Sequence, residues 1–288
     1  MLLVCLLAAL QSPLALKPAA TLAAPALNEV SGICPSSRTK GVFWVENDSG
    51  DSARIFAIDA QGRLRVTESG ISIAGAKNVD WEDVVSGPGK IYICDMGNND
   101  NSRRDLGVYV IDEPKLDRRE VSAKFLPIAY PDQTAFPPTI RHFDCEAAFF
   151  YRGKLHFLTK HRMPNGRFPE TGTNLYRLET ESTERTNVLK KLDSKSDMGG
   201  WVTAASTSPD GRYIAVLTHF PIASIWIFDS KGVGDRLLSK PVRYSSLIGA
   251  NQCEAICWDG DKTLMVLNEQ RQIFRIPVSS LPLTKAEM

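Results

Sequence analysis

Apolar positions along this chain fall into short runs that end at Gly, Pro, Asn or Asp. The runs are rich in Val, Ile, Phe, Tyr and Trp, the residue types that favour β-strands. Sustained apolar spacing at the helical period is almost absent. The segment Ser208-Pro209-Asp210-Gly211 has turn chemistry, because Pro presets φ and Gly accepts positive φ. The pattern predicts an all-β protein.

The strand pattern repeats five times along the chain. Each repeat begins with a short strand that carries a polar anchor residue, followed by an apolar strand, a polar cluster and an aromatic-rich strand. The anchors recur about every 50 to 65 residues, the length of a four-stranded propeller blade with decorated loops. The anchors are Glu29, Glu82, Glu146, Thr203 and Glu254.

The segments between repeats supply candidate fourth strands, which we place at residues 64–73, 121–130, 187–192 and 237–244. The fifth repeat ends at Ile276 without one, and the apolar segment before Asn28 is predicted to replace it. Terminal strands that share one blade close the ring and hide its edges. We therefore predict a single β-propeller of five blades of four strands, closed by the N-terminal strand. Six blades is the alternative, because residues 113–143 could contain further strands.

The N-terminus is apolar from Met1 to Leu10 and is too short to span a bilayer as a helix. It fits the apolar core of a signal peptide, although no basic residue precedes Lys17. We predict a signal peptide over residues 1–15, a propeller domain over 16–288, and a secreted or periplasmic location. A misassigned start codon or an apolar outer strand is the alternative. No other run predicts an integral membrane segment.

Composition excludes some classes of function. The chain has 288 residues and 34 basic against 33 acidic side chains, so it lacks the excess positive charge of a nucleic-acid-binding protein. Five cysteines follow Cys5, and no CxxC pair suggests a zinc ribbon. Export would permit disulfides, but we interpret most of these cysteines as small buried apolar residues.

The inner strand of each propeller blade lines the central channel, so the anchors should form a ring. Four glutamates in a narrow ring repel one another unless a hard cation with oxygen ligands compensates them. We therefore predict a Ca²⁺ site, to which Asp80 and Asp144 could add oxygens. The alternative is that each glutamate accepts hydrogen bonds from backbone N–H groups of a neighbouring blade. The predicted metal ligands are Glu29, Glu82, Glu146 and Glu254 in the ring, with Asp48 and Asp95 at the rim.

A second polar set follows the second strand of each repeat and should lie at one rim of the channel. Basic and acidic groups on one face suit a phosphorylated or carboxylated ligand. The alternative is that these segments are tight turns, for which Asn, Asp and Gly are common choices. The predicted ligand-binding residues are Lys160, His161, Arg162, His219, Asn268 and Glu269.

Catalytic motifs are absent: the chain has no G-x-S-x-G elbow, no H-E-x-x-H and no phosphate-binding loop. The sequence resembles an uncharacterised family of exported bacterial propellers. The resemblance rests on Glu29-Val30-Ser31-Gly32-Ile33, Asn47-Asp48-Ser49-Gly50, Asp80-Trp81-Glu82-Asp83, residues 93–99 and Val202-Thr203-Ala204-Ala205. More distantly, the Glu-Ala starts of the third and fifth repeats look like those of phytase-like and lactonase-like propellers. That likeness implies calcium in or over the channel and a calcium-assisted phosphoester or ester hydrolase.

Three functions follow from these observations. The first is an extracytoplasmic binding module that holds a small molecule, a glycan or a protein at the channel mouth. The second is a calcium-dependent hydrolase, in which Lys160, His161 and Arg162 neutralise an anionic substrate. The third is a scaffold without a small-molecule site. The sequence leaves enzymatic activity open, and we expect a monomer.

Overall fold

The computed structural model describes residues 12–164, 168–220 and 222–284. These residues form five small sheets, and the first strand of each contacts the first strand of the next to close a ring. The chain is thus an all-β propeller of five blades, as the repeats predicted. Among the described residues, no helix has the length and apolar character needed to cross a membrane.

The strands are short, as is usual in propeller blades. In chain order the first twelve are β1 (Leu14–Ala15), β2 (Ala20–Thr21), β3 (Val30–Pro35), β4 (Val42–Asn47), β5 (Arg54–Asp59), β6 (Ile71–Ala74), β7 (Trp81–Gly87), β8 (Lys90–Asp95), β9 (Gly107–Asp112), β10 (Glu120–Ser122), β11 (Lys124–Ala129) and β12 (Arg141–Tyr151). The others are β13 (Lys154–Arg162), β14 (Pro169–Glu170), β15 (Thr173–Arg177), β16 (Asn187–Val188), β17 (Lys190–Lys195), β18 (Trp201–Thr207), β19 (Tyr213–His219), β20 (Ser224–Asp229), β21 (Pro241–Ile248), β22 (Cys253–Asp259), β23 (Thr263–Asn268) and β24 (Gln272–Pro277), followed by a 3-10 turn over Val278–Ser280.

Each blade is an antiparallel meander from the channel outward. Blade 1 is β3–β6, blade 2 is β7, β8, β9 and β11, blade 3 is β12, β13, β15 and β17, and blade 4 is β18–β21. Blade 5 takes β22–β24 from the C-terminus and β2 from the N-terminus, with Ala20 opposite Ile273. The predicted closure by the N-terminal strand is confirmed.

Short parallel strands extend three blades at their outer edges. β10 pairs with β6 of blade 1, and β16 pairs with β11 of blade 2. The stretch 113–143 therefore adds β10 to blade 1 and β11 to blade 2, and the six-blade alternative is wrong. β1 pairs with β21 of blade 4 and lies at the end of the predicted signal peptide, whose residues 1–11 lie outside the described residues.

Five apolar clusters fill the gaps between neighbouring blades. Trp44 and Trp81 are among the largest fully buried side chains, and both lie in the cluster between blades 1 and 2. The cysteines at 34, 94, 145, 253 and 257 are free and buried, in agreement with their interpretation as small core residues.

Every inner strand has a β-bulge at the same place. A bulge inserts one unpaired residue and changes the direction of its side chain. The bulged residues are Ser31, Glu82, Glu146, Thr203 and Glu254. The predicted ring is therefore corrected in blade 1, where Ser31 and not Glu29 occupies the anchor position. Glu29 lies two residues earlier and is equivalent to Asp80 and Asp144.

Candidate functional site

The channel opens on one face into a cavity of about 280 Å³. The bulges and the ends of the second strands deliver its polar side chains, because both features lie on the same face of the ring. The residues that line the cavity include six carboxylic acids and one lysine. The full set of lining residues is Glu29, Val30, Ser31, Asp48, Ser49, Glu82, Asn99, Glu146, Lys160, Gln252, Glu254 and Glu269.

Two overlapping groups of carboxylates lie close enough to share an ion. One group is Asp48, Asp80 and Glu82, and the other is Glu82, Asp144 and Glu146. Within each group, one oxygen of each residue lies within 4.8 Å of the others. The donors are all oxygen, which suits a hard cation such as Ca²⁺ better than a thiophilic metal.

Lys160 is the basic group of the cavity, and its side chain is only 10% exposed. Its ammonium group contacts the Glu146 carboxylate and lies 3.8 Å from Asp144 Oδ2. Burial favours the neutral amine, but Glu146 and Asp144 outweigh it and raise the pKa of Lys160. Arg162 lies beside this group, with Nε 3.6 Å from Asp144 Oδ2 and the guanidinium 4.4 Å from the Trp201 ring.

Lys160 and Arg162 compensate only part of the negative charge of these carboxylates. Burial, together with the charges of Asp48 and Asp144, raises the pKa of Asp80 to about 6. Burial and the neighbouring Glu269 raise the pKa of Glu254 to about 7, against the effect of Lys160. Burial and Glu146 raise the pKa of Glu82. Such shifts mean that the charged forms of these acids are disfavoured in the cavity.

One oxygen of the Asp144 carboxylate is among the buried carboxylate oxygens without a hydrogen bond in the described residues. Asp144 is fully buried, and its Oδ1 accepts the backbone N–H of Asn98 at 2.6 Å. Its Oδ2 receives none from the described residues. Gly97 leaves room for the neighbouring acids, because a Cβ there would lie 2.5 Å from Asp80 Oδ2 and closer still to Glu82. Asp144 Oδ2, which is buried and ion-paired with Lys160 and Arg162 but has no hydrogen bond, has the chemistry of a metal ligand.

The structure places five predicted metal ligands at the cavity wall, namely Glu29, Asp48, Glu82, Glu146 and Glu254. Asp95 is a correction: its carboxylate accepts from Arg103 at 2.9 Å and from the Asp80 backbone N–H at 3.1 Å. It therefore holds the Asp80 segment in place and does not line the cavity. Asp80 and Asp144 belong to the carboxylate groups, although the sequence suggested them only as additional donors.

The predicted ligand-binding residues divide into three sets. Lys160 and Glu269 line the cavity, and Arg162 lies beside it. His219 is the last residue of β19, a position similar to that of Lys160 near the end of β13. Burial and the Lys160 charge lower the pKa of His219. Two residues are corrections. Asn268 is buried and binds the loop backbone at Ala250 O, at 2.8 Å, and His161 points to the opposite face of β13 because side chains alternate along a strand.

The buried carboxylate of Asp83 joins two neighbouring blades. Asp83 Oδ2 accepts the backbone N–H of Ala148 at 2.8 Å, and Asp83 Oδ1 accepts the backbone N–H of the next residue, Val84, at 2.8 Å. Blade 2 is thereby hydrogen-bonded to its neighbour, blade 3.

Fold and site together define a five-bladed β-propeller with an acidic pocket at one channel mouth. No protein-family model matches the chain, and no curated protein matches it. Among solved structures it is similar to hydrazine synthase from Kuenenia stuttgartiensis, with 15% identity, a TM-score of 0.45, and coverage of 87% of this chain and 72% of that one. A protein from Bacteroides uniformis provisionally assigned as a 6-phosphogluconolactonase has 12% identity and a TM-score of 0.46, with coverage of 88% of this chain and 84% of that one. The Swd1 β-propeller domain from Myceliophteria thermophila has 12% identity and a TM-score of 0.42, with coverage of 86% of this chain and 83% of that one. These similarities concern the propeller fold, and no activity follows from them.

Proposed function

We propose that this protein is an exported binding propeller that holds Ca²⁺ at its acidic channel mouth and a small ligand or partner over the ion. The observation that carries the proposal is that carboxylates from blades 1, 2 and 3 form two groups joined by Glu82. Glu82 belongs to both carboxylate groups, and Asp144 contributes an oxygen without a hydrogen bond.

Charge balance favours a cation over any anionic occupant. Six acidic side chains and Lys160 line the cavity, so an anion could enter only after a metal had neutralised part of this charge. Ca²⁺ accepts six to eight oxygen ligands in flexible geometry. The two carboxylate groups that share Glu82 could supply the protein ligands of the ion. The open side of the cavity leaves further coordination positions for water or for oxygens of a bound ligand.

Blade 4 gives the mouth a different wall. Where blades 1, 2 and 3 have Glu29, Asp80 and Asp144, blade 4 has Trp201, whose ring lies 5.6 Å from that of Phe220. Phe220 is 44% exposed. A ligand with both polar oxygens and an apolar face, such as a sugar, could bind the ion and contact this aromatic wall.

A calcium-dependent hydrolase is the second candidate, and Lys160 is the observation that favours it. Its ammonium group lies within the carboxylate cluster, where it could stabilise negative charge on a metal-bound ester or phosphoester. Bound Ca²⁺ would polarise the substrate oxygen. The test is calcium-dependent turnover of phosphomonoesters, lactones or aryl esters that disappears in Glu82→Gln.

A thermal melt with chelator and with millimolar Ca²⁺ tests the calcium site directly. Calcium should raise the melting temperature of the wild type, because a ligand of the folded state stabilises it. Glu82→Gln should lose this shift, yet melt no lower than the wild type in chelator, since it removes like-charge repulsion. Asp144→Asn should also lose the shift, but it should melt lower in chelator because it removes an ion-pair partner of Lys160 and Arg162. Asp261→Asn, at an exposed turn, is the control and should keep the shift. Absence of a shift in the wild type would contradict the proposal.

A further inference from the structure

We propose a second metal site, outside the channel, at which His142, His161 and Glu170 bind a divalent transition metal such as Zn²⁺. One ligand atom of each residue lies within 4.8 Å of the other two. Two imidazoles and a carboxylate are a common ligand set for zinc, with a fourth position open. The all-oxygen groups of the channel mouth have a different preference, so the two sites should select different metals.

Three neighbouring strands of blade 3 build this cluster. His142 lies on β12 and His161 on β13, and Glu170 on β14 is directly opposite His161 in the ladder. Side chains of residues paired in this way emerge on the same face of a sheet. His161 and Arg162 therefore serve opposite faces of β13, and the new site shares no ligand with the channel.

The cluster is already in close contact. His142 Nε2 lies 2.5 Å from Glu170 Oε2, and the two imidazole rings stack with centroids 3.6 Å apart and planes at 3°. His161 Nε2 lies 3.1 Å from Thr159 Oγ1, which accepts the Asn174 N–H at 3.2 Å. Such an outer contact holds the ring of a metal-binding histidine in place.

The site is open on one side. It lines a cavity of about 640 Å³ that also contains the Met163 side chain. His161 is buried, whereas His142 is 23% and Glu170 38% exposed at the side chain. The backbone of Gly172 leaves space beside His161, since a Cβ there would lie 3.0 Å from Nδ1. A metal ion can thus reach the cluster from solvent.

Metal binding replaces the hydrogen bond between His142 and Glu170. The His142 imidazole exchanges its proton through solvent so that Nδ1 carries the ring proton, and the freed Nε2 and the Glu170 carboxylate oxygen both bind the ion. Zinc ligands stand about 2.0 to 2.2 Å from the metal, so the His142 ring must rotate out of its stack. Its partial exposure allows this movement while His161 stays fixed.

Titration of the untagged protein with Co²⁺ tests the site, because tetrahedral Co²⁺ has a visible absorption band that reports its ligands. The band should saturate at one ion per chain, and added Zn²⁺ should remove it. His142→Gln should weaken Co²⁺ binding by at least about tenfold, and His161→Ala should do the same. His219→Gln is the matched histidine control and should bind Co²⁺ as the wild type does.

Two further measurements separate this site from the proposed calcium site. Glu82→Gln should keep the Co²⁺ band, and His142→Gln should keep the calcium-dependent melting shift, which also shows that this variant is folded. A wild type without a Co²⁺ band would overturn the inference. Unchanged binding in a folded His142→Gln would overturn it as well.

Discussion

Lys160→Met tests whether the carboxylate cluster depends on a cation. Methionine keeps most of the side-chain length and removes the charge. Without metal, the variant leaves Glu146 and Asp144 buried beside Glu82 with one fewer compensating charge. With calcium, the same substitution removes a competitor for those carboxylates. The substitution should therefore act in opposite directions on metal-free stability and on calcium affinity.

The magnitude follows from the distances at Lys160. At 3.8 Å from Asp144, a pair of unit charges attracts by about 4 kcal/mol at an effective dielectric constant of about 20. Desolvation of the ammonium offsets part of this, and breaking one side of a buried pair typically costs about 3 to 5 kcal/mol. Protonation of Glu146, whose pKa is raised by burial, reduces the cost. We expect Lys160→Met to lower the free energy of unfolding in chelator by about 3 kcal/mol, the lower end of that range.

The assay is denaturant unfolding of wild type and Lys160→Met in chelator and in calcium. Lys190→Met is the control, because the Lys190 side chain is 55% exposed and its ammonium lies 3.7 Å from Asp235, so the substitution should change stability by less than about 1 kcal/mol. In calcium, Lys160→Met should gain more stability than the wild type gains. Equal stability in chelator, or a smaller gain in calcium, would refute the electrostatic account of the cavity.

Two other predictions concern parts of the fold below and outside the cavity. Asp83→Ala leaves the Ala148 N–H without its acceptor and should cost about 3 kcal/mol in urea unfolding, whereas Asp83→Asn should cost less; equal losses would contradict the hydrogen-bond explanation. His156 is buried against Phe149, and burial lowers its pKa to about 4. Because the unfolded chain takes up that proton below about pH 6.5, stability should fall as pH drops from 6.5 toward 4, by about 2 kcal/mol at pH 5. His156→Phe should flatten this part of the profile, and an unchanged slope would exclude His156 as its source.

The sequence predicted the blade count because each blade repeats the same order of apolar and polar residues. It also predicted β2 as the closing strand, since the fifth repeat lacked one. It missed β1, β10 and β16 as outer additions, which are only two or three residues long. Strands of that length have no readable alternation, and their positions depend on which neighbouring edge is free.

The residue at the ring position of blade 1 could not be chosen by residue type alone. Glu29 matches the other glutamates in chemistry, but the bulge places Ser31 beside Glu82. Gly32 was the available signal, since it follows the bulge as Ala147 does in blade 3. A Cβ at Gly32 would lie 2.5 Å from Val84 N, so only glycine fits there. Alignment of Gly32 with Ala147, Ala204 and Ala255 gives the correct register.

The rim residues show what period-two alternation can add. Lys160, His161 and Arg162 were grouped as one basic cluster, yet consecutive strand residues face opposite sides. Alternation assigns Lys160 and Arg162 to the channel and His161 to the outer face. No sequence rule brings His142 and Glu170 to that face, because a bulge in β12 and the short β14 determine where they lie.

The asymmetry of the ring explains where the acidic pocket lies. Ser31 Oγ donates to the Glu82 backbone oxygen at 3.0 Å, and Thr203 Oγ1 donates to that of Cys253 at 2.9 Å. These two hydroxyls use their polar atoms to join neighbouring blades. The glutamates of blades 2, 3 and 5 instead direct charge into the cavity. Because Asp80 and Asp144 stand above blades 2 and 3, negative charge concentrates on that side of the mouth. A cation bound there would lie off the channel axis, toward blades 2 and 3.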